Sequence, residues 1–143
     1  MKAESPDNLI LDLGVIKLDY LVRKIDNKRY IEYIAVNKRI SNEQDALELV
    51  EICYENETNR LMLYEANISS EFFDLSTGVA GNILQKFINY SIIVAAVLEP
   101  ETVKQGKFRE MVIEVNRRSH FRVFHNCAAA GEWLVSQDSR YDM

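Results

Sequence analysis

The sequence predicts a single α/β domain: a mixed, mostly parallel sheet of four to five strands with an N-terminal β-hairpin and helices packed on it, in the order β-β-α-β-α-β-α. Three observations carry that prediction. Two β-rich runs flank the turn letters Asp26-Asn27-Lys28-Arg29 near the start. Strand and helix periodicities then alternate along the chain. The run Ser-Ile-Ile-Val-Ala-Ala-Val-Leu at residues 91–98 is apolar on both faces of a pleat, as a strand covered by helices on each side requires. With 143 residues and 48% hydrophobic content the chain supports one core and is too short for a second.

Residues 1–14 read as a flexible extension, because their charged and small residues keep no sustained period. The domain is expected over 15–135, with 136–143 as a loose tail. Runs 16–25 and 30–36 form the hairpin, since Asp26 and Asn27 tolerate the positive φ of a tight turn. Ser41 followed by Gln44 reads as a capping box, and Ala46, Leu47, Val50, Cys53 and Tyr54 recur at helical spacing, so the first helix covers 42–55. Arg60-Leu-Met-Leu-Tyr64 is a short strand that feeds a loop over 67–77. Ala80, Ile83, Leu84, Phe87 and Ile88 line one side of a second helix that stops near Asn89-Tyr90. Residues 91–98 are then the candidate central strand. A third helix carries Phe108, Met111, Val112 and Val115; a strand at 121–124 and a last helix opened by Asn126, with Ala130, Trp133 and Leu134, complete the order. Alternation of this kind implies right-handed crossovers onto a mostly parallel sheet with an antiparallel edge.

A net charge of −5 argues against a partner bound through many phosphates, so nucleic acid is not expected. The longest apolar run, residues 92–98, is far below the ~20 residues that span a bilayer, and no membrane partner is expected. The opening residues, with Glu4, Pro6, Asp7 and Asp12, lack the pattern of a secretory leader. Cys53 and Cys127 fall on predicted helices among apolar neighbours, without cysteine or histidine at ligand spacing. They read as buried free thiols in a reducing cytoplasm, with no metal or cofactor. His120 and His125 straddle the last strand on opposite faces and do not share a metal. Asp74 has no second carboxylate, histidine or nucleophile beside it in sequence, and Gly78 and Gly81 lack the residues of a phosphate-binding loop, so no catalytic group is expected.

The stretch 71–87, a polar, glycine-bearing turn that runs straight into an amphipathic helix, nominates the site. Unpaired amides at a helix start attract anions and partner surfaces. Asp74, Ser76, Thr77 and Gly78 are the candidate ligand-binding or switch residues, and Phe72, Phe73 and Arg117 the candidate interaction surface. Ser76 or Thr77 can simply cap the helix, an effect worth ~1 kcal/mol; a phosphate on Thr77, about −2 in charge, would also be stabilised there. Phe72-Phe73 either staples the helix start to the core or, if exposed, marks an interface. The basic residues Lys104, Lys107, Arg109, Arg117, Arg118 and Arg122 read as a patch for an acidic partner or as a solvated face with Glu110 and Glu114.

The block from Glu71 to Tyr90, with Arg60-Leu-Met-Leu ahead and Asn116-Arg117 behind, resembles a bacterial family known as a domain of unknown function, DUF4180, over about residues 30–134. The pattern Phe-Phe-Asp-Leu-x-Thr-Gly-x-Ala-Gly-x-Ile-Leu-Gln-Lys-Phe is its strongest part, and the resemblance implies a bacterial source but no activity. The turn is also similar to that of STAS domains, the anti-sigma-factor-antagonist fold, where Asp-Ser-Ser-Gly-Leu-Gly follows a strand. Here Asp74-Leu-Ser-Thr-Gly-Val-Ala-Gly81 stands in its place with one residue inserted. That similarity implies a STAS-like fold and sets Thr77 at the phosphorylated position, with Ser76 next to it. The function expected is a cytoplasmic, non-enzymatic regulatory or interaction module with an unidentified protein partner, working through the 67–77 loop and the helix start after it. Two other expectations stand beside it: a small-anion binder or enzyme using Asp74, Thr77 and Arg117, and a homodimer paired through the hairpin edge.

Overall fold

The computed structural model describes residues 19–142, together with the backbone of two short strands, β1 (Ile10–Leu11) and β2 (Gly14–Val15), which pair antiparallel. The rest of the expected extension, and the expected strand start at Ile16, lie outside the described residues.

β3 (Tyr20–Ile25) and β4 (Lys28–Tyr33) make the hairpin, in a register that sets Ile25 opposite Lys28. The turn is therefore two residues rather than four. Asp26 and Asn27 take φ of 53° and 65°, left-handed at both positions, which matches the twist of the flanking strands. After β4 every strand is parallel to the one before: β5 (Arg60–Tyr64), β6 (Ile93–Val97) and β7 (Phe121–Phe124) follow in chain order across the sheet, giving β3-β4-β5-β6-β7.

Six helices connect and cover these strands: α1 (Glu43–Glu55), the single turn α2 (Ser70–Phe73), α3 (Val79–Asn89), the single turn α4 (Pro100–Val103), α5 (Gly106–Val115) and α6 (Cys127–Ser136). Each crossover steps the same way across the sheet, and crossovers of constant hand must then place their helices on one face. α1, α3 and α5 accordingly share one core with Ile31, Leu61, Leu63, Val94, Ala96, Phe121 and Val123. The alternate residues Tyr30, Met62, Ile93 and Ala95 turn to the other face, where Ala130, Leu134 and Val135 of α6 cover them. The double apolarity of residues 91–98 thus has its predicted cause. The central position does not belong to them: β5 is the middle strand and β6 lies one strand from the β7 edge.

Arg60 explains why β5 reads as a lesser strand. Its side chain projects from the amino end of the middle strand onto the α6 face and is 1% exposed. Nε donates to the Leu134 carbonyl at 2.8 Å, Nη2 to the Gln137 carbonyl at 2.6 Å, and the two terminal nitrogens hold the Asp142 carboxylate at 2.9 and 2.5 Å. A buried cation persists only when it is paired and hydrogen-bonded. Residues 137–142, expected to trail loosely, are therefore docked, and Ser139 adds a 2.6 Å bond from its hydroxyl to Asn59 Oδ1.

The helix caps show one displacement. Asn42, not Ser41, caps α1 by accepting from the Asp45 amide at 2.9 Å, and Asp45 in return accepts from the Ser41 amide at 2.9 Å. The reciprocal pair expected of Ser41 and Gln44 is thus shifted by one residue. Asn126 caps α6 as predicted, through the Ala129 amide at 2.8 Å. No described helix is long and apolar enough to cross a membrane.

Candidate functional site

β5 ends at the carboxyl edge of the sheet, and the chain must turn there before α3 can run back. A 3-10 turn, Glu65–Asn67, begins the reversal. Asn67 anchors it by donating to the carbonyls of Ala35 and Lys38 at 2.6 and 3.0 Å. α2 then drives Phe72 into the core, where it is 3% exposed, its ring centroid 5.6 Å from Phe73, 6.3 Å from Phe108 and 6.5 Å from Phe121. Phe73 is half-buried and packs edge-on against Phe108 at 5.1 Å. The aromatic pair is therefore a clamp between this loop and α5, and the expected interaction surface is corrected for Phe72, which the core covers.

Asp74 opens a second 3-10 turn, Leu75–Thr77, by accepting from the Ser76 amide at 3.1 Å and the Ser76 hydroxyl at 2.7 Å. These two donors favour the ionised form and hold the Asp74 carboxyl below the ordinary range. The Thr77 hydroxyl lies 2.8 Å from the carbonyl oxygens of both Glu71 and Asp74, and it accepts from the Val79 amide at 3.2 Å. Gly78 follows at φ 77°, a left-handed conformation that lets one residue end the turn and begin α3. Thr77 is thus a tether as well as a cap, because it joins α2, the turn and the first amide of α3.

Across from this turn stands the start of α5. Phe73, Asp74, Leu75 and Ser76 on one side and residues 105–108 on the other bound an open cleft of about 380 Å³. Asp74 and Ser76 line it, whereas Thr77 and Gly78 sit behind that rim. Arg117 is not there. α5 begins at the cleft and runs ten residues toward the other end of the sheet, roughly 15 Å, and Arg117 follows its far terminus. The expected grouping of Asp74 and Thr77 with Arg117 is therefore overturned by helix direction. Lys107 is the basic residue beside the turn. A sequence signal for it existed: in successive β-α units of a parallel sheet the helix starts lie side by side, so the first turn of α5 belongs next to the first turn of α3. The remaining basic residues do not form one patch, since Arg122 lies under α6 with its guanidinium 5.2 Å from the Trp133 ring centre.

Another polar group occupies the same edge of the sheet on the α6 face, and the sequence reading missed it. Glu32 accepts from Arg23 Nε at 2.7 Å and from the Tyr64 hydroxyl. Burial, with the Glu32 carboxylate next to it, pushes the Tyr64 phenol well above its ordinary range. Period-two spacing would have set Glu32 and Tyr64 on the α6 face, but the cross-strand register that brings them together is not local information. Cys127 adjoins Tyr64 and is exposed, which corrects its expected burial: Asn126 caps α6, so position 127 is the outward first residue of the helix. Cys53 is buried, and desolvation pushes its thiol up to about 12. One thiol per native chain, Cys127, will react with a thiol reagent at neutral pH, and the second only after unfolding; two fast thiols would contradict the burial of Cys53.

A wider concavity, about 520 Å³, lies elsewhere, between α1 and the hairpin. Asp45, Glu48, Glu51 and Glu55 of α1 line it together with Asp19, Lys38 and Arg39, and Lys38 pairs with Asp19 at 2.8 Å. Like charges spread along one helix face are a solvated surface rather than a convergent site. The fold and the corner around Asp74 define a one-domain α/β protein with an open cleft at the carboxyl ends of parallel strands. Residues 25–134 match the family described as Domain of unknown function (DUF4180), and the chain belongs to that family. No curated protein and no solved structure matches it.

Proposed function

We propose that the chain is a non-enzymatic regulatory or protein-interaction module of a bacterial cytoplasm, working through residues 74–81 and the facing start of α5. The observation that carries this reading is the cleft itself. It is bounded by a turn whose polar groups are already committed to each other, and it lies at the carboxyl edge where parallel α/β sheets place their binding sites. An open groove suits a segment of a partner protein better than a small molecule, which needs most of its surface enclosed.

The similarity to STAS domains supplies a control point. Thr77, with Ser76 next to it, takes the place of the phosphorylated hydroxyl, and the one-way succession of β-α units is in keeping with that likeness. Phosphate at Thr77 would gain from the amides and dipole of α3, yet it would surrender the proton shared by the Glu71 and Asp74 carbonyls and set negative charge beside the Asp74 carboxylate. The turn would loosen where it forms the rim of the cleft, and Lys107 would face a new anion.

Affinity capture from the native cell tests this. Thr77→Glu is expected to lose the partner held by the wild type and by Thr77→Ala, by about tenfold or more, and Lys107→Glu to lose it as well. Identical partner sets for all four proteins would remove the corner as the working surface. A small anion at the same corner is the second reading, favoured by Lys107 and Gln105 on the α5 side; inorganic phosphate that shifts the amides of Ser76 and Lys107 would support it. β3 is an edge strand of the main sheet with Val22 45% exposed, so self-association through the hairpin remains a proposal that light scattering decides.

A further inference from the structure

At the amino ends of β6 and β7, away from the Asp74 corner, α3 and α5 enclose a cavity of about 240 Å³. Leu84, Phe87, Val94, Val115 and Phe121 wall it with hydrocarbon, and Phe87 and Val94 belong to the fully buried core. Its mouth is different in kind. Arg118 and His120, both exposed, stand there next to Ile88, which is 41% exposed.

Protein interiors pack to crystal density, and voids much larger than a water molecule are few. Water does not fill this one well, because an ordered water needs two to four polar partners and the walls supply none. The complement of such walls is hydrocarbon. The complement of the mouth is an anion: among the described residues the Arg118 guanidinium is held by Glu114 alone, at 3.1 Å, with both side chains more than half exposed. Exposed pairs one helical turn apart contribute little and are screened by salt, so the guanidinium can exchange Glu114 for another carboxylate at small cost. A guanidinium also presents the planar fork that a carboxylate matches.

We infer that this cavity binds a small organic acid, its apolar body lodged between Phe87 and Phe121 and its carboxylate on Arg118 with His120 next to it. Size fixes the class more closely. An engineered apolar cavity of about 150 Å³ accepts benzene, so the present one has room for about ten non-hydrogen atoms. That is an aryl or branched-alkyl carboxylate rather than a long-chain fatty acid or a nucleotide.

Phenylacetate and its neutral isostere phenylacetamide, titrated into the whole chain and followed by amide shifts in two-dimensional NMR, test the assignment. Phenylacetate is expected to move the amides of Val94, Val115 and His120, with affinity in the millimolar range or tighter for a ligand of this size. It should bind about tenfold tighter than phenylacetamide, the margin of a charge-assisted bond. Arg118→Gln should erase that preference and leave the weaker, neutral affinity; Val115→Phe, which fills the space, should abolish binding of both. Shifts that map elsewhere, equal affinities for acid and amide, or no shifts at all would overturn the proposal, and these readouts on the wild-type chain stand even if Val115→Phe fails to fold. Concentration-dependent movement of the same amides without ligand, with a doubled mass, would overturn it in favour of a side chain from a second copy.

Discussion

Asp142→Ala is expected to lower the unfolding free energy by about 2–4 kcal/mol in a urea titration, near the low end for breaking a buried ion pair. The discount reflects exposure: the Asp142 carboxylate is 21% accessible, whereas the Arg60 side chain it neutralises is 1% accessible. What is lost is less the attraction than the compensation of a charge that cannot reach water. The double variant Arg60→Leu with Asp142→Leu should recover most of the loss, since apolar replacement of a whole buried pair is often neutral. The same pair predicts an acid limb. The Arg60 hydrogen bonds hold the Asp142 carboxyl below its ordinary range. Its contribution is therefore complete above the unfolded value of about 3.9 and vanishes as pH falls through the lower folded value. Wild type should lose stability over that window more steeply than Asp142→Ala; parallel curves would show that the pair contributes nothing.

Phe72→Ala is expected to cost about 3–5 kcal/mol, the range for removing a buried phenyl ring. The ring touches Phe73, Phe108 and Phe121, so its loss opens a cavity at the point where α2, α5 and β7 meet. Phe73→Ala, at a half-buried position, should cost less. The urea midpoint, read with an unchanged denaturant slope, checks both. Stability equal to wild type, with partner capture lost, would instead mark Phe72 as an interface residue.

How far the sequence can be read follows from which signals are local. The presence of a hairpin turn at Asp26-Asn27, though not its length, the bounds of β5 and β7, and the Asn126 cap all rest on residues within a few positions of each other, and the structure shows them where the letters place them. The middle strand was not legible because Arg60 reads as a surface residue until Asp142, 82 positions away, is seen to neutralise it. Cys127 reads as buried from its apolar neighbours, although the legible Asn126 cap already makes it the first, outward residue of α6. The candidate corner was legible as a polar turn entering a helix. Its composition was legible only in part: the side-by-side helix starts of successive β-α units point to Lys107 rather than Arg117, but that signal depends on where α5 begins. The group of Arg23, Glu32 and Tyr64 depends on register between three strands, which period-two spacing alone does not supply.

The one-directional winding of the sheet leaves its second face to α6 and the segment through Asp142. During synthesis, Tyr30, Met62, Ile93 and Ala95 must wait uncovered while more than thirty further residues leave the ribosome after β6. A nascent chain stalled before α6 therefore leaves that apolar face, and the Arg60 side chain beside it, without the partners that α6 and Asp142 supply.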